Sequence, residues 1–134
     1  LDGVLSIGDL GYEKYGWEVV PFLDVIVIDG VAYSHYFTTG LMGRPVTTAQ
    51  ACLAKKHQSC IQGHQQGLQF ASTFNAQGKM LTSVIAGSCY EHDEDYMSFQ
   101  GNNHWRGLLV LHDVNDGEFD LMTVTLKYIN QKYD

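Results

Sequence analysis

Two Asp-Gly pairs, Asp29-Gly30 and Asp116-Gly117, each stand between runs of apolar, often β-branched residues, and they constrain this chain more than any other feature. Both central residues of a tight two-residue hairpin must tolerate positive φ, and Asp-Gly does so at low steric cost. The spacing therefore predicts one hairpin from 24–28 and 31–34, and another joining 107–114 to 118–126. A further hairpin is expected from 68–74 and 79–85, turning at Asn75-Ala76-Gln77-Gly78. In the last arm, Phe119, Leu121, Val124 and Leu126 are expected mostly to share a face, with Thr123 and Thr125 opposite or at the margin.

One helix stands out. Thr47 or Thr48 can cap it, and Thr47-x-x-Gln50 fits a capping box in which two side chains satisfy each other's free amides. The helix is expected to continue through Ala51-Cys52-Leu53-Ala54 to Lys55-Lys56-His57, whose positive charge suits a C-terminus. A short strand at 59–62 then delivers His64. Three hairpins and a lone strand can form a sheet with one buried face, and a second layer has to cover the other.

At 134 residues the chain is long enough for one domain and too short for two ordinary ones. No apolar run approaches the roughly 20 residues of a membrane helix, so no membrane partner is expected. No signal peptide is expected, and an opening Leu-Asp-Gly without an initiating methionine reads as a processed or truncated start. A net charge of −7 disfavours non-specific grip on a nucleic-acid backbone. It leaves phosphate substrates open, because bound metal ions reverse the local sign of a site. Cys52, Cys60 and Cys89 form no Cys-x-x-Cys pair, and an odd count without a secretory signal reads as reduced thiols in a cytoplasmic setting.

Two segments carry the chemistry: Tyr33-Ser34-His35-Tyr36-Phe37 and Ile61-Gln62-Gly63-His64-Gln65-Gln66. Each ends a strand-like run with a histidine where the backbone leaves the strand, a position that is rigidly held yet open. A Ser-His turn followed by Gly-His-x-x resembles the last two signature motifs of the calcineurin-like metallophosphoesterases, in particular a branch often carried by phages and prophages. The resemblance runs through Gly40 to Pro45 and on to Ala86-Gly87-Ser88-Cys89, and it covers the C-terminal half of such an enzyme. It implies an α/β fold, α+β by the content of this chain, with residues 1–134 as one domain. That domain would be the C-terminal half of a four-layer α-β-β-α sandwich, mostly antiparallel hairpins with one clear helix. The other half is expected upstream of Leu1.

The function so implied is hydrolysis of a phosphomonoester or phosphodiester by metal-activated water. Divalent Mn, Fe or Zn ions suit a site built of imidazole and carboxylate. By position, His35 and His64 would bind the same metal. The second histidine of the family's Gly-His-x-His motif is replaced here by Gln66, a weak oxygen donor, so the second metal site is weaker, completed differently or empty. Arg44 would meet a substrate phosphate through its bidentate fork, giving His35, His64 and Arg44 as the catalytic set. The upstream Asp-x-His and Gly-Asn-His motifs are missing. Ile7-Gly8-Asp9 mimics the family's Gly-Asp motif but sits too close to His35 to leave room for the missing Gly-Asn-His block. Gly101-Asn102-Asn103-His104 mimics the Gly-Asn-His motif but follows His64, in the wrong order, with one extra residue. The acidic run 91–95 could attract a cation, and His104, Trp105 and Arg106 suggest a contact beside a groove.

The expected partners are a phosphate-ester substrate, by analogy a nucleotide or nucleic acid, and the missing N-terminal half. Without that half, the chain is expected to show a large apolar sheet face and self-associate. The alternative is a catalytically inactive binding or structural module, for example a virion or assembly component that keeps the scaffold. The absent carboxylates and Gln66 motivate it.

Overall fold

The computed structural model describes residues 6–40 and 42–133. After single 3-10 turns at Ile7–Leu10 and Glu13–Tyr15, the elements are β1 (Ile26–Ile28), β2 (Val31–Ser34), β3 (Thr38–Thr39), β4 (Arg44–Pro45), α1 (Ala49–Lys56), β5 (Cys60–Gln62), β6 (Leu68–Phe74), β7 (Met80–Ala86), α2 (Ser98–Asn102), β8 (Gly107–Asn115), β9 (Glu118–Thr125) and α3 (Leu126–Tyr133). The chain is an α+β protein. No helix among the described residues is long and apolar enough to cross a membrane.

All three expected hairpins form, and the two Asp-Gly turns do so for the anticipated reason. Asp29 and Gly30 have φ of +47° and +82°, and Asp116 and Gly117 have +47° and +85°. At the third turn the Asn75 side chain accepts from the backbone amides of Gln77 and Lys79, at 2.9 and 3.0 Å, and so replaces a regular two-residue turn.

The hairpins do not build a single sheet. Five strands run in the order β1-β2-β5-β7-β6, while β8 and β9 form a separate two-stranded sheet. Within the larger sheet the outer pairs β1-β2 and β6-β7 are antiparallel, and β5 lies between β2 and β7, parallel to both. A parallel neighbour needs a crossover, which the β3-β4 hairpin and α1 provide.

Strict alternation along the strands sends successive residues to opposite faces. Ala32 and Cys60 look toward α1, where Phe37, Val46 and Cys52 complete one core. Val31, Ile61 and Val84 look the other way and meet Phe119, with Leu109, Leu111 and Leu121 of the β8-β9 sheet around it. The layers are therefore helix, five-stranded sheet, then hairpin. The hairpin covers much of the sheet face that was expected to stand open.

Two expectations about local structure are corrected. Val124 pairs with Leu108, whereas Leu121 pairs with Leu111, so strict alternation puts Val124 on the face opposite Phe119 and Leu121. Leu126 is not strand at all but the first residue of α3, where Thr125 Oγ1 accepts from the Tyr128 amide at 3.2 Å. α2 and α3 add to the single helix anticipated.

The α1 helix buries Ala49, Cys52 and Leu53, the i, i+3, i+4 stripe of a helix with one core-facing side. Its cap is Thr48, whose Oγ1 accepts from Ala51 N at 3.1 Å. Gln50 therefore stands one position too early to close a capping box. Thr48→Ala should lower stability by about 1 kcal/mol, while Thr47→Ala should leave the cap intact. Urea denaturation of the two variants separates the assignments, and equal costs would count against Thr48 as the cap.

Candidate functional site

Parallel pairing of β2 with β5 carries the C-terminal ends of both strands to the same sheet edge. Ser34 lies opposite Gln62, so the next residues, His35 and Gly63, emerge side by side. The Gly63 amide donates to the His35 carbonyl at 3.1 Å and extends the ladder by one rung. The carboxyl ends of parallel strands are where α/β sheets bind ligands, since the loops leaving them diverge around a crevice.

At that edge His35 Nε2 and His64 Nδ1 are 3.2 Å apart, and both rings are exposed. His64 holds a left-handed backbone, with φ of +66°. A non-glycine residue in that region costs on the order of 1 kcal/mol or more, and such strain collects at functional sites. Tyr36 stands over the pair, its ring centroid 4.9 Å from that of His64 and 5.7 Å from that of His35. Phe22 approaches from the N-terminal segment, 5.1 Å from the His35 ring. Its cue in the sequence is slight, an aromatic after Pro21 in a stretch without strand or helix pattern.

Beside the histidines runs an apolar cleft of about 430 Å³. Val20, Phe22 and Leu23 form one wall, and Tyr33, Ile61 and Ala86 of the sheet form the other. His35 stands among its lining residues.

Gln62, which residue type and motif alone did not single out, organises both histidine loops. Its side chain is 1 % exposed. Its Oε1 accepts from the Phe37 amide at 2.9 Å, and its Nε2 donates to Val46 O at 3.2 Å and to Gln65 Oε1 at 2.7 Å. Gln65 Nε2 in turn donates to Val46 O. One buried amide thus ties the segment after His35, the segment after His64 and the residue following β4. The sequence signal was slight, a glutamine at the end of a short apolar strand, just before Gly63-His64.

The separation of the two imidazole nitrogens fits a shared cation. Two ligands at about 2.1 Å from one ion and 3.2 Å from each other subtend roughly 100°, close to tetrahedral or octahedral values. A direct hydrogen bond between them also fits this distance and needs complementary tautomers. The rest of a metal shell is not at hand: no group of three or more His, Cys, Asp or Glu side chains among the described residues could hold an ion.

Gln66 is half-buried in the loop between His64 and β6, and the glutamine engaged in the network is Gln65. Arg44 is exposed on the β3-β4 hairpin and does not line the cleft. The structure thus brings His35 and His64 into contact and leaves Arg44 and Gln66 outside that contact.

The motif mimics have structural duties. Asp9 accepts from the backbone amide and hydroxyl of Ser6, at 2.6 and 2.8 Å, and these bonds hold its carboxyl below the ordinary carboxylate range. Asn102 Oδ1 accepts from the Glu94 amide, and its Nδ2 donates to Glu94 O. The cation of the acidic run is Arg106, which donates to Glu91 O and to Asp93 Oδ1 (2.8 Å) and lies 5.3 Å from the Tyr90 ring centroid. An acidic loop tied to an arginine in this way has little need of a metal ion.

Comparison with protein-family models, with curated proteins and with solved structures finds no match for this chain. The functional reading therefore rests on the geometry of the histidine edge.

Proposed function

We propose that the chain is part of a metal-dependent phosphoesterase, a hydrolase of the calcineurin-like type, acting on a phosphomonoester or phosphodiester. One observation carries this reading: His35 Nε2 and His64 Nδ1 stand 3.2 Å apart at the shared edge of two parallel strands. A divalent Mn, Fe or Zn ion, when bound, polarises a phosphate oxygen and activates water at neutral pH. His35 and His64 hold that ion as neutral imidazoles. The Gln62 network keeps both loops in place, and the Tyr36 and Phe22 rings pack beside the two imidazoles. Gln66 offers at most a weak oxygen ligand to a neighbouring ion, and Arg44 offers a guanidinium to a phosphate oxygen from the adjacent hairpin.

Carboxylate ligands come, in this reading, from an N-terminal half that precedes Leu1 in the whole protein. The outer face of the β8-β9 sheet supports a further covering layer, since Leu108, Val110 and Met122 are exposed there at 45, 37 and 43 %. A four-layer sandwich supplies such a cover, and so does a second copy of the chain. The substrate is a nucleotide or nucleic-acid phosphate by analogy with phage-borne members of that family, and the compartment is the cytoplasm.

The test uses the product of the complete reading frame, assayed with Mn²⁺ on an aryl phosphate monoester and an aryl phosphate diester. Chelation should abolish turnover and Mn²⁺ should restore it. His35→Ala and His64→Ala should each lower kcat/KM by at least about 100-fold, since loss of an outer-shell partner alone costs 10–100-fold. Full activity in both variants would overturn the reading. Absence of turnover together with absence of metal binding would favour the inactive binding or assembly module instead.

A further inference from the structure

On the helix side of the sheet two thiols meet. Cys52 of α1 and Cys60 of β5 are both 0 % exposed, and their sulfurs are 2.9 Å apart. Cys60 Sγ also lies 3.4 Å from Ser83 Oγ on β7. Apolar side chains, Phe37 and Val46 among them, close the surroundings. A core needs only small apolar volume at two such positions, and alanine or valine would serve. Two sulfurs in direct contact add a chemistry that packing does not need.

The geometry favours bond formation. A disulfide has its sulfurs about 2.05 Å apart, so closure asks for less than about 1 Å of approach. The two residues are joined by the end of α1 and its left-handed cap at His57, and neither element has to cross another. The pair is also polarised. The hydrogen bond from Cys60, aided by Ser83 and Lys56, pulls the Cys52 thiol below its usual range, while the same bond and burial push Cys60 up.

We propose that Cys52 and Cys60 form a peroxide-oxidisable pair that closes to an intramolecular disulfide and ties α1 to β5. Complete burial selects the oxidant: hydrogen peroxide is neutral and close to water in size, whereas a glutathione-sized disulfide cannot reach either sulfur without opening the helix. The Cys52 thiol attacks one peroxide oxygen, forming an S–O bond as the O–O bond breaks. The departing hydroxide takes up the Cys52 proton and leaves as water. Cys60 sulfur then attacks the sulfenic sulfur of Cys52, the S–S bond forms and the S–O bond breaks. The second water leaves with the Cys60 proton. The two thiols lose two electrons and the peroxide gains them.

The exposed Cys89 is removed by Cys89→Ser so that links between molecules do not confuse the outcome. The full chain carrying this change is treated with hydrogen peroxide, unfolded, alkylated and digested with trypsin. Lys55 and Lys56 lie between the two cysteines, so trypsin separates them into peptides that only a disulfide holds together. The expected result is a linked pair lighter by two hydrogens, with neither cysteine alkylated, and its loss on treatment with dithiothreitol. Cys60→Ser and, should that variant not fold, Cys52→Ala should abolish the link. Full alkylation of Cys52 and Cys60, at a peroxide dose that oxidises Cys89 in the parent chain, would overturn the proposal. So would progress of Cys52 to sulfinic acid without a link.

Discussion

Alanine in place of Gly30 should destabilise the fold by about 2–5 kcal/mol, a large part of the 5–15 kcal/mol that holds an ordinary domain together. Two causes add. Gly30 has φ of +82°, where a side chain costs roughly 1–2 kcal/mol. A methyl carbon there would also lie 2.5 Å from the Gly117 amide nitrogen and 2.6 Å from the Asp116 carbonyl carbon. Both neighbours are backbone and cannot swing aside, so the overlap costs about 1–3 kcal/mol more. The reason is that the two Asp-Gly turns lie against each other: Gly117 N donates to Asp29 O at 2.7 Å, and Gln58 Nε2 donates to Gly30 O at 3.1 Å. Gly78 is the control, because its φ is +83° but a methyl there meets nothing within 4 Å. Gly78→Ala should therefore show the backbone cost alone. Denaturant midpoints of the two variants give the comparison, and equal costs would refute the contact between the turns.

Gln62→Leu should cost about 2–4 kcal/mol despite conserving much of the side-chain volume. The Phe37 amide would be left buried without an acceptor, and Gln65 Oε1 would lose its donor; an orphaned buried group costs about 1–3 kcal/mol. Val46 O keeps its bond from Gln65 and is spared. The effect should reach the site, because the Phe37 amide anchors the segment just after His35 and Gln65 follows His64 directly. Faster hydrogen exchange at the Phe37 amide, beyond that of α1 amides, would mark this local release. An unchanged denaturation midpoint would show that the network is dispensable.

These two positions differ in how far they could be read from the chain. Gly30 belongs to an Asp-Gly pair whose turn was legible at once, because positive φ at two successive residues is a local requirement. Its packing against Gly117, far along the chain, was not, since no local pattern encodes the meeting of two turn tips. Gln62 is the reverse case. It reads as the polar end of a short apolar strand, and only the loops of His35 and His64 around it give its burial a purpose.

The same division runs through the fold and the site. Residue pattern alone determined the three hairpins, the α1 helix, the short strand before His64 and the two histidines at strand ends. Each depends on φ tolerance, capping or alternation within a few residues. Tertiary structure alone decided that β5 inserts between β2 and β7 in parallel, and that β8 and β9 stand apart as a covering layer. It also placed Cys52 against Cys60 and gave Arg106 to the acidic loop. Strand order and side-chain partnership across long separations arise from burying the best set of apolar faces at once. That is a property of the whole chain, which no short window of sequence contains.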